Sequence, residues 1–212
     1  SKLKSVPHEL LEYFDMVITS FGAMAYKDYH LYYANYIRQE DLNKYVDYLN
    51  NHNVTYSYTE ENGKTYYWGD IDYKRIVRIL DWSIRMPKMK KISKNCKVAN
   101  FEIFDYSNED YEQLCNINPN VKPVKWPDNA VFLPEGVDKA TGVEMFANAF
   151  GFSKDEVVAI GDSGFDTNML TSAGVGIAMK ESKPEVLEVA DYICDKSFYL
   201  ENTRILRLLL DI

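Results

Sequence analysis

Two carboxylates stand four residues apart in Gly161-Asp162-Ser163-Gly164-Phe165-Asp166, directly after the apolar run Val157-Val158-Ala159-Ile160. That run has the length and the β-branched content of a short buried strand. Gly161 breaks it, which puts Asp162 at the strand's carboxyl end and Asp166 where Thr167 to Ala173 can begin a helix. In an open parallel sheet, ligands bind just outside the carboxyl ends of the strands. Two carboxylates in that place suit a hard divalent cation such as Mg2+, which takes oxygen ligands and keeps several waters. From the residues alone, Asp162 is a metal ligand or a turn aspartate. Asp166 is a metal ligand, a residue behind one, or a helix N-cap. Ser163, in the same loop, either bonds a metal-bound water or serves the turn.

Those residues need a scaffold, and the pattern from Asn129 onward supplies one. Strands are expected at Ala130 to Leu133, Val157 to Ile160, Val175 to Met179 and Tyr192 to Cys194. Between them lie helical stretches. One starts near Asp138, presents Val143, Phe146, Ala147 and Phe150 on one face, and stops at Gly151. Another has Pro184 in its first turn. Strands alternating with helices imply a parallel sheet with helices on its faces.

The middle of the chain has a different rhythm. Leu42, Tyr45, Val46 and Leu49 recur at helical spacing. Val54 to Thr59 and Lys64 to Trp68 flank Asn62-Gly63, a strong hairpin signal. A second helix is expected over Tyr73 to Ile84, a strand over Val98 to Phe104, a short helix over Asn108 to Cys115 and a strand over Val121 to Lys125. The dense tyrosines read as packing. The lysines at 88, 90, 91, 94 and 97 read as a solvated face, with a positive lip for anions as the less favoured reading. Before this unit come a short amphipathic helix over residues 1–12, a strand at Met16 to Ile18, a glycine turn at Thr19 to Ala23, and a hairpin formed by Met24 to Tyr26 and His30 to Ala34. The expected organisation is a core in two segments, 1–36 and 128–212, around an inserted α/β unit at 37–127.

The 212 residues are 46% hydrophobic and 26% charged, the balance of a globular protein. No apolar run approaches the ~20 residues needed to span a bilayer, so no membrane partner is expected. The net charge of −8 argues against nucleic acid, which calls for a basic footprint. The cysteines, Cys96, Cys115 and Cys194, have no metal-ligand spacing, and a reducing cytoplasm is the expected location. Oligomeric state is not legible.

The run GDSGFDTNML, followed by AGVGIAMKESKPEVLEVADYI, resembles the last motif of the haloacid dehalogenase-like phosphatases, most closely the Cof-type branch, whose members act on sugar phosphates and similar small phosphomonoesters. Thr19-Ser20-Phe21-Gly22-Ala23 is similar to that branch's Ser-Asn-Gly-Ala turn, with Phe21 in the asparagine place. Gly136-Val137-Asp138-Lys139-Ala140 is similar to the segment carrying the family's phosphate-binding lysine. The resemblance implies a Rossmann-type α/β core with an inserted α/β cap. It also implies a Mg2+-dependent phosphoric monoester hydrolase working through a phospho-aspartate on a small phosphorylated metabolite. By the same resemblance Lys139 is catalytic and binds phosphate with Ser20, and Asp162 and Asp166 serve the metal.

The chain also departs from the pattern. The family's attacking carboxylate lies in a DxD motif after an apolar strand. Here Asp70-Ile71-Asp72 has the spacing but precedes a helix, where N-capping explains it, and Val17 fills the acid–base place after Asp15. The nucleophile is therefore expected upstream of residue 1, and the chain alone is expected to be inactive. Phe165 stands where much of the family has an asparagine, and Lys180-Glu181-Ser182 replaces a usual Gly-Asn-Ala. The alternative expectation is a non-catalytic binding or regulatory relative.

Overall fold

The computed structural model describes residues 14–70, 88–121, 123–126 and 129–194. The helices expected over 1–12 and 73–84, and Ile71-Asp72, lie outside the described residues. The chain divides into two compact units at Val137/Asp138.

In the first unit, β1 (Val17–Thr19), β2 (Met24–Lys27) and β3 (His30–Ala34) form an antiparallel meander. Asp28 and Tyr29 turn the β2–β3 hairpin with φ of 47° and 65°, the doubly left-handed pattern that matches strand twist in a two-residue loop. A larger sheet has the order β6-β5-β4-β7-β9-β8. Its strands are β4 (Thr55–Glu60), β5 (Thr65–Trp68), β6 (Lys88–Met89), β7 (Val98–Phe104), β8 (Val124–Lys125) and β9 (Asn129–Phe132). Two helices belong with it, α1 (Gln39–Asn51) and α2 (Asn108–Ile117). α2 is started by a capping box in which Ser107 and Asp110 satisfy each other's backbone N–H groups.

The expected face of α1 is the buried one. Leu42, Tyr45, Val46 and Leu49 pack into a single apolar cluster with Tyr56, Tyr58, Phe101 and Phe132. Phe101 and Phe132 stack at 4.6 Å, and the Tyr45 ring closes on Phe101 at 4.9 Å. Ring pairs of this kind add to simple area burial. The tyrosines are thus core material, as their alternation suggested.

Two features differ from the sequence reading. The strand at 129–132 was placed with the parallel set, but it pairs antiparallel with β7 and with β8. Its alternation buries Ala130 and Phe132 against the aromatic cluster, and period-2 burial fits an antiparallel sheet as well as a parallel one. β6, inside the lysine run, was not foreseen; it adds to β5 in parallel.

The second unit holds the parallel sheet. Its strands are β10 (Val158–Gly161), β11 (Val175–Met179) and β12 (Tyr192–Cys194), in the order β10-β11-β12. Around it run α3 (Lys139–Phe150), α4 (Thr167–Ser172) and α5 (Pro184–Leu187). Gly151 ends α3 in a left-handed cap with φ of 75°. Leu170 of α4 and Val186 of α5 are buried with Ala159 and Ala178 of the sheet.

Candidate functional site

β10 ends at Gly161 and delivers Asp162 just past its carboxyl end, and the chain then loops through Ser163 to Phe165 into α4. The loop is organised from inside by Asp166, which is 2% exposed. Its Oδ2 accepts hydrogen bonds from the Asp162 N–H at 3.1 Å, the Ser163 N–H at 3.0 Å and the Ser163 hydroxyl at 2.9 Å. Its Oδ1 accepts from Lys139 Nζ at 2.5 Å. A carboxylate taken out of water is tolerated only when paired and hydrogen-bonded, and this one is both.

Gly161 is glycine because Asp166 leaves no room beside it. A Cβ there would stand 2.4 Å from the Asp166 Cβ and 2.8 Å from its Cγ. The Gly-Asp pair in the sequence is therefore half packing and half chemistry.

Lys139 is the first residue of α3. Its helix is capped by Asp138, whose Oδ1 accepts from the Thr141 N–H at 2.9 Å, while the Thr141 side chain answers the Asp138 N–H at 3.0 Å. The other Asp138 oxygen, Oδ2, takes a hydrogen bond from Asn168 Nδ2 at 2.8 Å. The lysine side chain is 34% exposed against 3% for Asp166, so the ammonium reaches from a half-open position onto a closed carboxylate.

Burial by itself would raise the Asp166 pKa. The hydrogen bonds from Lys139 and Ser163 and the nearby ammonium charge outweigh it and hold the carboxyl below the ordinary aspartate value. Asp166 is thus ionised across the neutral range.

Lys139, Asp162 and Asp166, singled out in the sequence, come together in this unit. The sequence leaves three readings for Asp166: a metal ligand, a residue behind one, and an N-cap. Its side chain makes no cap bond to α4, and protein donors engage both of its oxygens. Asp162 is the opposite case. Its side chain is exposed, and its carboxylate has no hydrogen bond or ion pair among the described residues. Neither Asn168 nor Asp138 was foreseen as part of the site. The D-x-x-T spacing of a capping box was visible at Asp138 to Thr141, but the bond from Asn168 crosses between helices and leaves no local signal.

Ser20 lies in the first unit, in a single 3-10 turn at Ser20–Gly22. Ser20, Phe21 and Gly22 have φ of 54°, 57° and 100° in succession. Left-handed backbone costs a non-glycine residue energy and gathers at functional turns. The Ser20 side chain is buried, and its Oγ has no hydrogen-bond partner among the described residues. The Phe21 ring lies 6.4 Å from that of Trp126.

The lysine run is largely neutralised. Lys90 pairs with buried Glu60, Lys94 with Asp47 at 2.6 Å and Lys97 with Glu61 at 3.5 Å. That supports the solvated-face reading. Among the described residues, no group of three or more His, Cys, Asp and Glu side chains gathers as a ready-made metal cage, and no helix is long and apolar enough to cross a membrane.

A parallel three-stranded sheet with an acidic loop at a strand's carboxyl end, a lysine held beside it, and a separate antiparallel sheet unit earlier in the chain is an arrangement with close structural parallels. Residues 3–198 match the family model of the haloacid dehalogenase-like hydrolases, and the chain belongs to that family. The fold aligns with the sugar phosphatase BT4131 of haloacid dehalogenase subclass IIB at a TM-score of 0.81 and 21% identity, over 99% of this chain and 80% of that one. A protein from Geobacillus kaustophilus aligns at a TM-score of 0.81 and 22% identity, over 100% of this chain and 82% of that one. The fold class is accordingly α/β, a haloacid dehalogenase-like parallel core with an α/β cap. Among relatives by sequence, a phosphoglycolate phosphatase of Methanosarcina mazei is 40% identical over 62 residues, 29% of this chain and 27% of its own length. The stress response protein YhaX of Bacillus subtilis is 41% identical over 61 residues, 29% of this chain and 21% of its own. The matched stretch is thus about a quarter of each of those relatives.

Proposed function

We propose that the complete protein is a Mg2+-dependent phosphatase of small phosphomonoesters, sugar phosphates or similar metabolites, of the Cof type. The observation that carries this reading is the Lys139 ammonium held by Asp166 at the foot of the loop that presents Asp162. A phosphate dianion and an attacking carboxylate repel each other, so a site for their reaction needs cations placed beforehand. Lys139 is such a cation, and its partner fixes where it stands.

The donor set fits one Mg2+ in a particular way. Asp162 offers a free, hard carboxylate at the strand end, and Mg2+ is commonly held by one or two carboxylates plus waters and a phosphate. Asp166, with both oxygens engaged, stands behind Asp162 and shapes the loop. When bound, Mg2+ supplies charge neutralisation and polarises a phosphoryl oxygen. In this reading Lys139 and the Ser20 hydroxyl contact phosphoryl oxygens; the buried Ser20 Oγ has a donor and lone pairs to give. The attacking aspartate is placed N-terminal to Ser1, because no Asp-x-Asp of this sequence follows an apolar strand. We place the cap in the six-stranded sheet with α1 and α2, which extends the expected 37–127 segment through β9. Two of the relatives support the substrate class, the Methanosarcina mazei phosphoglycolate phosphatase and the sugar phosphatase BT4131. We also place the protein in the cytoplasm, a reading supported by three cysteines far apart in the sequence.

The test is a panel of small phosphomonoesters with the complete protein, with and without Mg2+. Turnover that disappears with chelator and with Asp162→Asn is the expected result. Unchanged Mg2+-dependent turnover in Asp162→Asn would show the metal assignment to be wrong. A second reading, a relative that binds without cutting, draws on Phe21 and Phe165, aromatic rings where the resemblance leads one to expect polar side chains. It predicts phosphate-ester binding by calorimetry and no released phosphate.

A further inference from the structure

We propose that Asn168, acting through Asp138, is a positioning residue for Lys139. The inference rests on the functional reading above and deepens it by naming what aims the phosphate-binding lysine.

Lys139 sits at the first position of α3, so its side chain swings wherever that helix start goes. The start of α3 meets the start of α4 at two points. One is the lysine's own bond to Asp166 at 2.5 Å, just before α4. The other is the Asn168 amide on Asp138 Oδ2 at 2.8 Å, two residues further along. Asp138 is divided between two helices: one oxygen caps α3 through the Thr141 N–H, and the other is held by α4. Its carboxylate plane is therefore fixed, and with it the peptide that leads into Lys139.

The Lys139–Asp166 bond alone fixes only the tip of a long, rotatable side chain. A lysine ammonium is a point charge on a flexible stem. A phosphate arriving at the loop competes with Asp166 for that ammonium. The base of the lysine then has to stay in place while the tip shifts, and the Asn168–Asp138 bond does not involve the tip. This explains why a surface-side asparagine and a cap residue are joined across thirty residues of sequence. An alanine at 168 would leave both helices intact, since alanine is a better helix former than asparagine.

The experiment compares Asn168→Ala, Asp138→Ser and the double variant in the complete protein. Serine at 138 keeps an N-cap acceptor for Thr141 and loses the oxygen that Asn168 holds. Each variant is examined for the position of Lys139 by crystallography, for inorganic phosphate binding by calorimetry, for kcat and KM, and for thermal stability. In Asn168→Ala the expected result is a displaced Lys139, its ammonium no longer held on Asp166. Phosphate binding and kcat/KM are expected to fall about threefold to tenfold, the range for the net contribution of one ordinary hydrogen bond. The double variant should be no worse than Asp138→Ser. An unmoved Lys139 and an unchanged phosphate affinity in Asn168→Ala would together overturn the proposal, and so would effects of the two substitutions that add. A change in melting temperature alone would also overturn it, by showing a merely structural bond. If the wild-type protein turned over no phosphomonoester, the phosphatase reading would fall, and the position of Lys139 in Asn168→Ala would still decide whether Asn168 positions the lysine.

Discussion

Lys139 and Asp166 form an unequal pair: the ammonium's side chain is 34% exposed, and the carboxylate's is 3% exposed. The carboxylate cannot leave its place without dismantling the loop, since it also holds two backbone N–H groups and the Ser163 hydroxyl. The lysine can be drawn outward by an anion. The fixed member of the pair is thus the one that shapes the loop, and the movable member is the one with access to solvent.

Removal of the lysine should therefore destabilise the fold without destroying it. Lys139→Met leaves Asp166 with three protein donors but no counter-charge. Taking one partner from a buried pair commonly costs about 3–5 kcal/mol. Part-exposure of the lysine and the remaining donors reduce that here to about 1–2 kcal/mol. Urea unfolding at neutral pH measures it. A loss above that range would mean that the backbone donors contribute less than the geometry indicates.

The same carboxylate sets an acid limit. Its folded pKa is lowered, so its contribution to stability is present above the unfolded aspartate value of about 3.9 and is lost as pH falls through the lower folded value. Wild type should exceed Asp166→Asn in stability by a constant amount from neutral pH to about pH 5, and the two curves should converge below about pH 4. Parallel unfolding curves at pH 7, 5, 4 and 3 check the sign. A gap that widens on acidification would contradict it.

Gly161 offers a steric test. Alanine there puts its Cβ 2.4 Å from that of Asp166, closer than atoms can pack. Asp166 is boxed by its donors, so the strand end must yield. A destabilisation of about 1–3 kcal/mol is expected from the overpacking, and the metal role proposed for Asp162, the next residue, predicts weaker Mg2+ binding by the complete protein as well. Calorimetric Mg2+ titration of Gly161→Ala, set beside its unfolding curve, measures both.

Much of this architecture was legible from local pattern. The Leu42-Tyr45-Val46-Leu49 stripe, the hairpin of Met24 to Tyr26 with His30 to Ala34, the Asn62-Gly63 turn and the Gly151 stop are each written within a few residues, and each formed. Non-local pairing left no such trace. The strand at Ala130 to Phe132 alternates as well for one sheet as for another, and only its partner in β7 decides. β6 is two polar-to-apolar residues within a lysine run, too short for any period. At the site, the spacing within Gly161 to Asp166 pointed to the two aspartates, and the resemblance to the family pointed to Lys139. The division of labour between the two aspartates was not visible, because it depends on a lysine twenty-seven residues away and on three donors inside a loop.

One polar cluster outside the site deserves a measurement of its own, since it joins the stretch entering α1 to the stretch leaving β9. Asp41 and Asn118 are each 4% exposed. Asp41 Oδ2 accepts from Arg38 Nε at 3.0 Å and from Asn118 Nδ2 at 2.8 Å, and Arg38 also reaches Glu135 at 3.4 Å. Asn118 bonds Glu135 as well, at 3.3 Å. Asn118→Ala removes a donor from a buried carboxylate and should cost about 1–3 kcal/mol. Glu135→Gln, at a more exposed position, should cost under about 1 kcal/mol. Because Asp41 is the shared acceptor, the effects of Asp41→Asn and Asn118→Ala should fall short of additivity by about 1 kcal/mol or more in a double-mutant cycle. Strict additivity would mean that Asn118 and Asp41 stabilise this junction independently, and that the bond between them is incidental.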